Sequence, residues 1–279
     1  MTVGEEGKIR ASGKDSRENS SLVSTGSTTV LEGHEGSVRC LCATSNWLVS
    51  GGARSQLIWW RPTISGFALD HCMQLARLDE DVRIMALAAI GETVCAVDSA
   101  GNVHVGNETL MNKVSNLPKI VVERALFLSV AGEGNFFLVG SSNGFLVVFD
   151  GTRHCVLDYV SVHQSGVNAI VAAGGGCYVS VSDDQSIAVT HVCESGKLTL
   201  CQRIVNASSC SIRAVACKGS RIVTTGTDRR VSEWTLANNQ LQMKQSTIVS
   251  VTDPLSILVL DNNDLLVAGR GIERIVIDN

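Results

Sequence analysis

The sequence is poor in proline, poor in aromatic residues and without any long apolar run. Its 279 residues include 3 Pro, 4 Trp, 2 Tyr and 6 Phe. No apolar run approaches the roughly 20 residues that a membrane helix needs. Residues 1–26 hold no apolar segment of the kind found in secretory signals. These absences argue against membrane and secreted classes, and we expect a cytoplasmic protein without a membrane partner.

Charge and cysteine spacing exclude two further classes of site. The net charge of −4 gives no overall basic field of the kind that drives nonspecific nucleic-acid binding, although a local basic patch stays open. The 10 cysteines form no Cys-x-x-Cys pair and show no zinc-ligand spacing. Most of them, such as Cys95 and Cys217, lie in apolar, strand-like runs. We therefore expect reduced core cysteines, with no metal and no cofactor.

What the chain does contain is a repeat. Six segments each show a strand-like run, a small or charged turn and a second strand, at 47–60, 93–106, 136–149, 178–190, 222–234 and 265–276. Their turn residues are spaced by 46, 43, 41, 44 and 42 positions: Arg54, Ala100, Asn143, Asp184, Asp228 and Arg270. An apolar marker upstream of each hairpin keeps the same period, at 37–42, 81–87, 122–128, 166–171, 211–216 and 254–260.

A period of 40–45 residues with four short strands is typical of one blade of a β-propeller. We predict an all-β propeller of six four-stranded blades over residues 27–279, after a disordered N-terminal tail of residues 1–26. The repeat units lie at approximately 27–61, 72–107, 112–150, 155–192, 197–236 and 241–279. The sixth unit ends without an outer strand. Residues 27–33 are therefore expected to pair with residues 272–278 and close the ring, which would remove exposed strand edges.

Three units carry part of the hydrogen-bonded set of His, Ser or Thr, Asp and Trp that marks a WD repeat. The first unit has His34, Ser50 and Trp60; the fourth has His163, Ser180 and Asp184; the fifth has Thr224, Asp228 and Trp234. Arg54 replaces the Asp of the first unit, Thr190 the Trp of the fourth, and Ser208 the His of the fifth. The fold therefore resembles a divergent WD-repeat β-propeller.

His163, Ser180 and Asp184 are also the residue types of a hydrolase triad. The same types recur at equivalent positions of other units, where a structural role is expected, whereas a nucleophile needs one singular constellation with an oxyanion hole. The sequence has no phosphate-binding loop, no zinc-protease motif and no nucleophile elbow. We expect a protein that is not an enzyme, with no catalytic residues and no small-molecule substrate.

Three stretches near the C-terminus are more specific than the general pattern. They are His163-Gln164-Ser165-Gly166-Val167-Asn168 with Ser182-Asp183-Asp184, then Thr227-Asp228-Arg229-Arg230 leading to Trp234, and Ala268-Gly269-Arg270-Gly271-Ile272-Glu273. In order and position they resemble the C-terminal propeller of the WD repeat-containing protein 6 family. The resemblance is concentrated in residues 160–279. The chains of that family are several times longer, so this chain matches only their C-terminal part.

The resemblance implies a noncatalytic partner subunit of a tRNA ribose 2′-O-methyltransferase. Such a subunit binds the methyltransferase catalytic subunit and helps to present the tRNA, directly or indirectly, so that the first anticodon nucleotide is methylated. WD-repeat rings also serve many unrelated assemblies. The alternative is therefore a generic adaptor, such as a ubiquitin-ligase substrate receptor or a kinase-associated scaffold.

Arginines recur at the second position of the upstream marker, which in the six units holds Arg39, Arg83, Arg124, Asn168, Arg213 and Ser256. The innermost strands surround the central channel of a propeller, so four arginines there would concentrate positive potential at one mouth. Four more arginines lie in hairpin turns that we expect to open on the same face: Arg54, Arg229, Arg230 and Arg270.

Arginine binds phosphate and carboxylate groups with two parallel hydrogen bonds. We therefore hypothesise that this mouth binds an anionic surface, either the tRNA backbone or an acidic loop of the partner enzyme. The alternative is that the marker arginines pair with acids that are close in sequence, namely Glu35, Asp81 and Glu123.

Overall fold

The computed structural model describes residues 2–3, 8–12, 28–64, 66–77, 80–114, 117–123 and 125–276. Nearly all regular structure in these ranges is β. The exceptions are a four-residue helix α1 (Lys119–Val122) and a short 3₁₀ turn at Ala53–Ser55. No helix of the described residues is long and apolar enough to cross a membrane.

A three-stranded antiparallel sheet lies at the N-terminus, with strands β1 (Thr2–Val3), β2 (Lys8–Ser12) and β3 (Thr28–Glu32) in that order. The strand expected at residues 27–33 is thus present, but its partner is β2, with Lys8 opposite Glu32 and Ser12 opposite Thr28. Among the described residues it does not pair with residues 272–276. The other residues of the expected 1–26 tail, and residues 277–279, lie outside the described ranges.

Five four-stranded antiparallel blades follow, and in each the strands are neighbours in sequence order. Blade 1 contains β4 (Val38–Ala43), β5 (Leu48–Gly52), β6 (Gln56–Thr63) and β7 (Gly66–Gln74). Blade 2 contains β8 (Ile84–Ile90), β9 (Thr93–Asp98), β10 (Val103–Gly106) and β11 (Met111–Lys113). Blade 3 contains β12 (Phe127–Glu133), β13 (Phe136–Ser141), β14 (Phe145–Asp150) and β15 (Cys155–Ser161).

Blade 4 contains β16 (Val167–Gly174), β17 (Cys177–Ser182), β18 (Ile187–Val192) and β19 (Leu198–Ile204). Blade 5 contains β20 (Ile212–Lys218), β21 (Arg221–Gly226), β22 (Arg230–Ala237) and β23 (Gln240–Ile248). Blade 6 is formed by β24 (Thr252–Val259) and β25 (Leu265–Ile275). The architecture is therefore the predicted six-bladed β-propeller.

The chain reverses direction within β25. Arg274 donates a hydrogen bond from Nε to Oδ2 of Asp264 over 2.8 Å, although ten positions of straight strand would separate these residues by about 33 Å. Gly271, between them, has a φ of +122°, a backbone conformation that residues with a Cβ rarely adopt. Blade 6 therefore contains three extended segments, since β25 supplies two of them.

The core lies between neighbouring blades, which pack face to face. One cluster joins blades 2 and 3 around Val97, Phe127 and Val139, and similar clusters join each following pair. Because the second strand of a blade is covered on both faces, β9, β13 and β17 are buried almost throughout and read as continuous apolar runs. The outer strand β23, by contrast, is mostly exposed.

The N-terminal sheet is anchored to blade 1 through β3. Leu31 is 4% exposed and belongs to a cluster with Val38, Ile58 and Trp60. Burial of one leucine side chain contributes about 2 kcal/mol. The N-terminal strand therefore has two attachments in the structure, one to β2 and one to the face of blade 1.

Candidate functional site

Each innermost strand carries a β-bulge close to its first residue, and the bulged residue lies at the central channel. The pairing of the first two strands shifts between Val38 and Cys40 in blade 1, and at the equivalent position in blades 2 to 5. A bulge leaves one residue unpaired and turns its side chain in a new direction. The bulged residues are Arg39, Met85, Leu128, Asn168 and Arg213.

These five residues, together with Leu255 of blade 6, line a cavity of about 600 Å³ at the channel. Leu255 is the equivalent position, because the following residue, Ser256, pairs with Ala268 as Cys40 pairs with Gly51. The ring therefore holds two arginines, one asparagine and three apolar side chains.

The expected ring of four marker arginines is not formed, because Arg83 belongs to a different register. Its carbonyl accepts a hydrogen bond from the Ser99 amide, as the Ser37 carbonyl accepts one from Ala53. Arg83 is thus equivalent to Ser37, and Met85 occupies the place expected for Arg83. The Val-Arg pairs at 38–39 and 82–83 look alike in sequence, but they are not structurally equivalent. The second pair lies two residues before the position in blade 2 that corresponds to the first pair in blade 1.

In the third blade the expected and observed ring positions differ by four residues. Leu128 is the bulged residue there, between Phe127 and Ser129. Arg124, the expected ring member, lies outside the described residues. Sequence spacing carries a signal for this register. In blade 1 the first residue of the inner strand, Val38, stands 12 positions before Ser50. In blade 2 Ala96 occupies the place of Ser50, and 12 positions before it stands Ile84, the first residue of β8.

Arg213 and Asn168 share one carboxylate at the mouth, that of Asp183. Oδ1 of Asp183 accepts hydrogen bonds from Nδ2 of Asn168 at 2.8 Å and from the Ser211 hydroxyl. Arg213 approaches the same oxygen only to 3.5 Å, and its buried Nε–H has no acceptor among the described residues. Since a good N–H···O bond measures about 2.7–3.2 Å, Arg213 is held loosely and keeps unused donor capacity.

Arg39 is the less restrained arginine of the ring. It is exposed, and within the described part of the chain its guanidinium has neither a hydrogen-bond acceptor nor an acidic partner. The three ionisable side chains that line the cavity are Arg39, Arg213 and Asp183, so the lining carries a formal charge of 2 − 1 = +1.

Most of the other arginines of the hypothesis have partners within the chain. Arg83 pairs with Asp81 at 2.9 Å, Arg54 with Glu35, and Arg270 with Asp253 at 2.9 Å. Arg229 donates to the carbonyl groups of Val249 and Ser250 at 3.2 and 3.3 Å. Arg230 is exposed and its side chain has no partner among the described residues. None of these five lines the channel cavity.

The WD-type residues of blade 1 form a short buried relay. Oγ of Ser50 lies 2.7 Å from Nε2 of His34 and accepts a 2.7 Å hydrogen bond from Nε1 of Trp60. Nδ1 of His34 is buried without a hydrogen bond of good geometry among the described residues, and Gln56 is its polar neighbour. Burial lowers the pKa of His34 to about 4, so the ring is neutral at physiological pH.

Blade 4 has a larger network around His163. Nε2 lies 2.8 Å from Oγ of Ser180, and Nδ1 lies 2.7 Å from Oγ of Ser186. Oδ1 of Asp184 accepts from Ser186, and Oδ2 accepts from the Gln164 amide at 2.6 Å and from Nη2 of Arg203 at 2.8 Å. The network ties the hairpin turn to the loop before the blade.

The titration of this network follows from its burial and its hydrogen bonds. Burial lowers the pKa of His163 to about 4. Burial acts to raise the pKa of Asp184, but the hydrogen bonds from Ser186 and Gln164 outweigh it and hold that pKa well below its usual range. A neutral, fully buried imidazole held between two hydroxyl groups has no route to a substrate.

In blade 5 the WD-type residues form two separate hydrogen bonds and no continuous chain of them. Nε1 of Trp234 donates to Oγ1 of Thr224 at 3.1 Å, and the Ser208 hydroxyl donates to Oδ2 of Asp228 at 2.8 Å. Ser208 is too short to join the two halves as a histidine does.

Two further side chains hold hairpin turns: the buried Asp98, which the sequence did not mark, and the partly buried Asn143, which the sequence marked only as a turn residue. Asp98 in blade 2 is fully buried and accepts from the Asn102 amide at 2.8 Å, and its Oδ2 lies 3.1 Å from Nε2 of His104. Asn143 in blade 3 donates to the Val121 carbonyl at 3.2 Å and so holds α1 against the turn. In blade 2 Asp98, and in blade 3 Asn143, thus stabilises the hairpin turn that the His and Asp of a complete WD repeat would stabilise.

All ten cysteines are free thiols. Their placement differs in part from the expected core positions, since Cys95 and Cys177 are buried but Cys72, Cys201 and Cys210 are exposed. Burial raises the pKa of Cys42 to about 12 and that of Cys177 to about 11, so neither is a reactive thiolate. Across the described ranges, no group of three or more His, Cys, Asp or Glu side chains could hold a metal ion.

Comparison with known proteins relates the chain to solved propellers. No protein-family model matches the sequence, and no curated protein matches it. The WD40 β-propeller domain of Doa1 superposes with a TM-score of 0.75 at 18% identity, covering 98% of this chain and 86% of that one. The Cps50 (Swd1) propeller of Myceliophteria thermophila gives 0.72 at 12% identity, covering 86% and 83%.

A chain in the structure of the Mitotic Checkpoint Complex is also similar, with a TM-score of 0.75 and 13% identity over 91% of this chain and 79% of that one. Identities this low establish shared architecture and leave function open. Together with the blade topology and the His, Ser and Trp contacts, these likenesses show that the chain has the fold of a WD40 β-propeller.

Proposed function

We propose that the protein is a noncatalytic scaffold whose channel mouth receives a partner protein. The mouth joins unused hydrogen-bond donors on Arg39 and Arg213 to an apolar rim, and the buried His163 network that could be mistaken for a triad is occupied with structural hydrogen bonds. WD40 propellers commonly present such faces to partner chains, and the fold itself does not select the partner.

The specific partner that we propose is the catalytic subunit of a tRNA 2′-O-methyltransferase, with tRNA held in the same assembly. One observation carries this proposal: Asn168 and Asp183 belong to the segments that resemble the WD repeat-containing protein 6 family, and both line the channel cavity. The other resembling residues of that stretch, such as His163 and Asp184, are buried in blade 4 and specify its structure.

The experiment is affinity purification of the tagged full-length chain from cell extract at two salt concentrations. Co-purification of a methyltransferase catalytic subunit and tRNA with the wild type supports the proposal. The double variant Arg39→Glu/Arg213→Glu should lose most of both. Arg230→Glu is the control for charge reversal, and is matched to each single variant of the pair, because it reverses the charge of one exposed arginine that does not line the cavity.

Two outcomes would contradict the proposal in different ways. Recovery of a ubiquitin-ligase core or a protein kinase without methyltransferase would favour the generic adaptor. Equal recovery of the methyltransferase by the wild type and the double variant, at both salt concentrations, would remove the channel mouth from the interface.

A further inference from the structure

The channel mouth has a mixed chemistry that restricts what it can hold. The cavity lining brings Arg39 of blade 1 and Arg213 of blade 5 together with Leu255 of blade 6, while Met85 and Leu128 lie on blades 2 and 3. Leu255 is 64% exposed and so offers apolar surface at the rim of the cavity. The cavity therefore combines cationic donors and apolar surface at the same rim.

The charge of the mouth is too small for a nucleic-acid backbone. A protein that binds RNA or DNA through phosphates uses several Lys or Arg contacts, each releasing counterions. Among the described residues the lining has a formal charge of +1, because Asp183 offsets one of the two arginines. No aromatic side chain of the described residues lines the cavity, so this part of the chain offers no stacking platform of the kind on which single-stranded bases bind.

The donors are suited to a carboxylate. Arg39 has no acidic partner among the described residues, and the partly exposed Arg213 lies only 3.5 Å from Asp183, whose Oδ1 already accepts hydrogen bonds from Asn168 and Ser211. A single carboxylate can accept two hydrogen bonds from a guanidinium group. Apolar side chains next to that carboxylate in the ligand would cover Leu255, Leu128 and Met85. Burial of this apolar surface would stabilise the complex more than a single ion pair at a surface does.

We propose that the mouth binds a peptide segment of the partner protein in which an aspartate or glutamate is flanked by leucine-like side chains. This inference rests on the proposed scaffold function and names the chemistry of its partner. The carboxylate binds Arg39 and Arg213, and the flanking side chains cover the apolar part of the ring. Any tRNA of the assembly is then held by another surface.

The test is selection of a random 12-residue peptide library, displayed on phage, against the wild-type propeller. Phage that also bind Arg39→Glu/Arg213→Glu are removed. We expect the selected peptides to share Asp or Glu next to Leu, Ile, Met or Phe. The most frequent peptide is then synthesised with a fluorescent label and titrated by fluorescence anisotropy, beside a labelled 12-nucleotide single-stranded RNA.

Peptide binding by three variants tests the cationic part and the apolar part of the mouth separately. Arg39→Glu and Leu255→Asp should each weaken peptide binding at least tenfold, and Arg230→Glu should change it less than twofold. Leu255 is chosen because its exposure lets the variant fold, and circular dichroism melting verifies this. If Leu255→Asp is unfolded, Leu255→Ser replaces it, with at least a threefold loss expected.

The inference is overturned if no peptide is selected, if the selected peptides lack an acid or an apolar neighbour, or if Leu255→Asp binds as the wild type does. RNA binding that is tighter than peptide binding and is lost in Arg39→Glu would also overturn it. Failure here, with the methyltransferase still captured from extract, removes only the peptide chemistry. Failure of both experiments removes the scaffold function at this mouth as well.

Discussion

Blades 1 and 4 keep opposite halves of the same hydrogen-bonded set. Blade 1 keeps Trp60 and has lost the turn aspartate, whereas blade 4 keeps Asp184 and has Thr190 where tryptophan is expected. Among the described residues, buried atoms without a hydrogen-bond partner include Nδ1 of His34 and Oγ of Ser55 in blade 1 and Oγ1 of Thr190 in blade 4. In these two blades the fold therefore tolerates loss of either end of the set while the histidine and serine between them remain hydrogen-bonded.

The two blades differ in how the remaining half is supported. In blade 4, Arg203 from the outer strand and Ser186 from the turn gather around Asp184. In blade 1 the turn position holds Arg54, whose pair with Glu35 is solvent-exposed. Exposed pairs contribute about 0–1 kcal/mol, while removing one partner from a buried pair costs about 3–5 kcal/mol. The side chains at these two equivalent turn positions, Arg54 and Asp184, should therefore contribute very differently to the free energy of unfolding.

The largest expected effect comes from Asp184→Ala. It removes the acceptor of Arg203, Ser186 and the Gln164 amide, so the free energy of unfolding should fall by about 4 kcal/mol. Arg54→Ala at the equivalent turn of blade 1 should cost less than about 1 kcal/mol. Urea unfolding followed by circular dichroism measures both. Equal losses at the two positions would break the comparison between the blades.

A smaller effect is expected from pH. The folded pKa of His163 is about 4, below its unfolded value of 6.5, so folding favours the neutral ring. The contribution of His163 is therefore complete above pH 6.5 and is lost as the pH falls towards 4. Between pH 7 and pH 5 this amounts to about 2 kcal/mol.

The measurement compares the pH dependence of unfolding for the wild type and His163→Gln. The variant should lose about 2 kcal/mol less than the wild type between pH 7 and pH 5, because it lacks the titrating ring. His34 of blade 1 has its pKa lowered in the same direction, so His34→Gln should also flatten the dependence. An unchanged slope in His163→Gln would show that the ring is not held neutral.

The smallest effect is expected at Thr190. Its hydroxyl is fully buried without a hydrogen-bond partner, and valine has nearly the same shape. Thr190→Val should therefore raise the free energy of unfolding by about 1 kcal/mol. Thr224→Val in blade 5 is the matched control and should destabilise, since Thr224 accepts a hydrogen bond from Trp234. If both variants destabilise, the Thr190 hydroxyl has a partner after all.

The repeat predicted the architecture because its signals are local. Each hairpin depends on a turn and two alternating strands within about 14 residues, and these occur six times in register. The same locality explains why Asp184, Ser180 and His163 could be assigned to one blade before their contacts were known.

The channel ring could not be predicted with the same accuracy, because it depends on strand register. A shift of two residues keeps a side chain on the same face of the strand and moves it along the channel. Arg83 and Met85 therefore satisfy the same alternation, and only the pairing of Ile84 with Asp98 distinguishes them. The pairing of β2 with β3 was missed for another reason: residues 8–12 carry two charges and no apolar run that would mark a strand.

The pairing of β3 with β2 has a consequence for synthesis on the ribosome. Had residues 27–33 required residues 272–278 as their partner, the first strand would have to wait for almost the whole chain. Instead its partner lies about 20 residues earlier in the chain, so these two strands can pair as soon as residues 28–32 have emerged. Low sequence separation between contacting residues favours fast folding. The blades can then fold one after another onto the sheet that β2 and β3 have already formed.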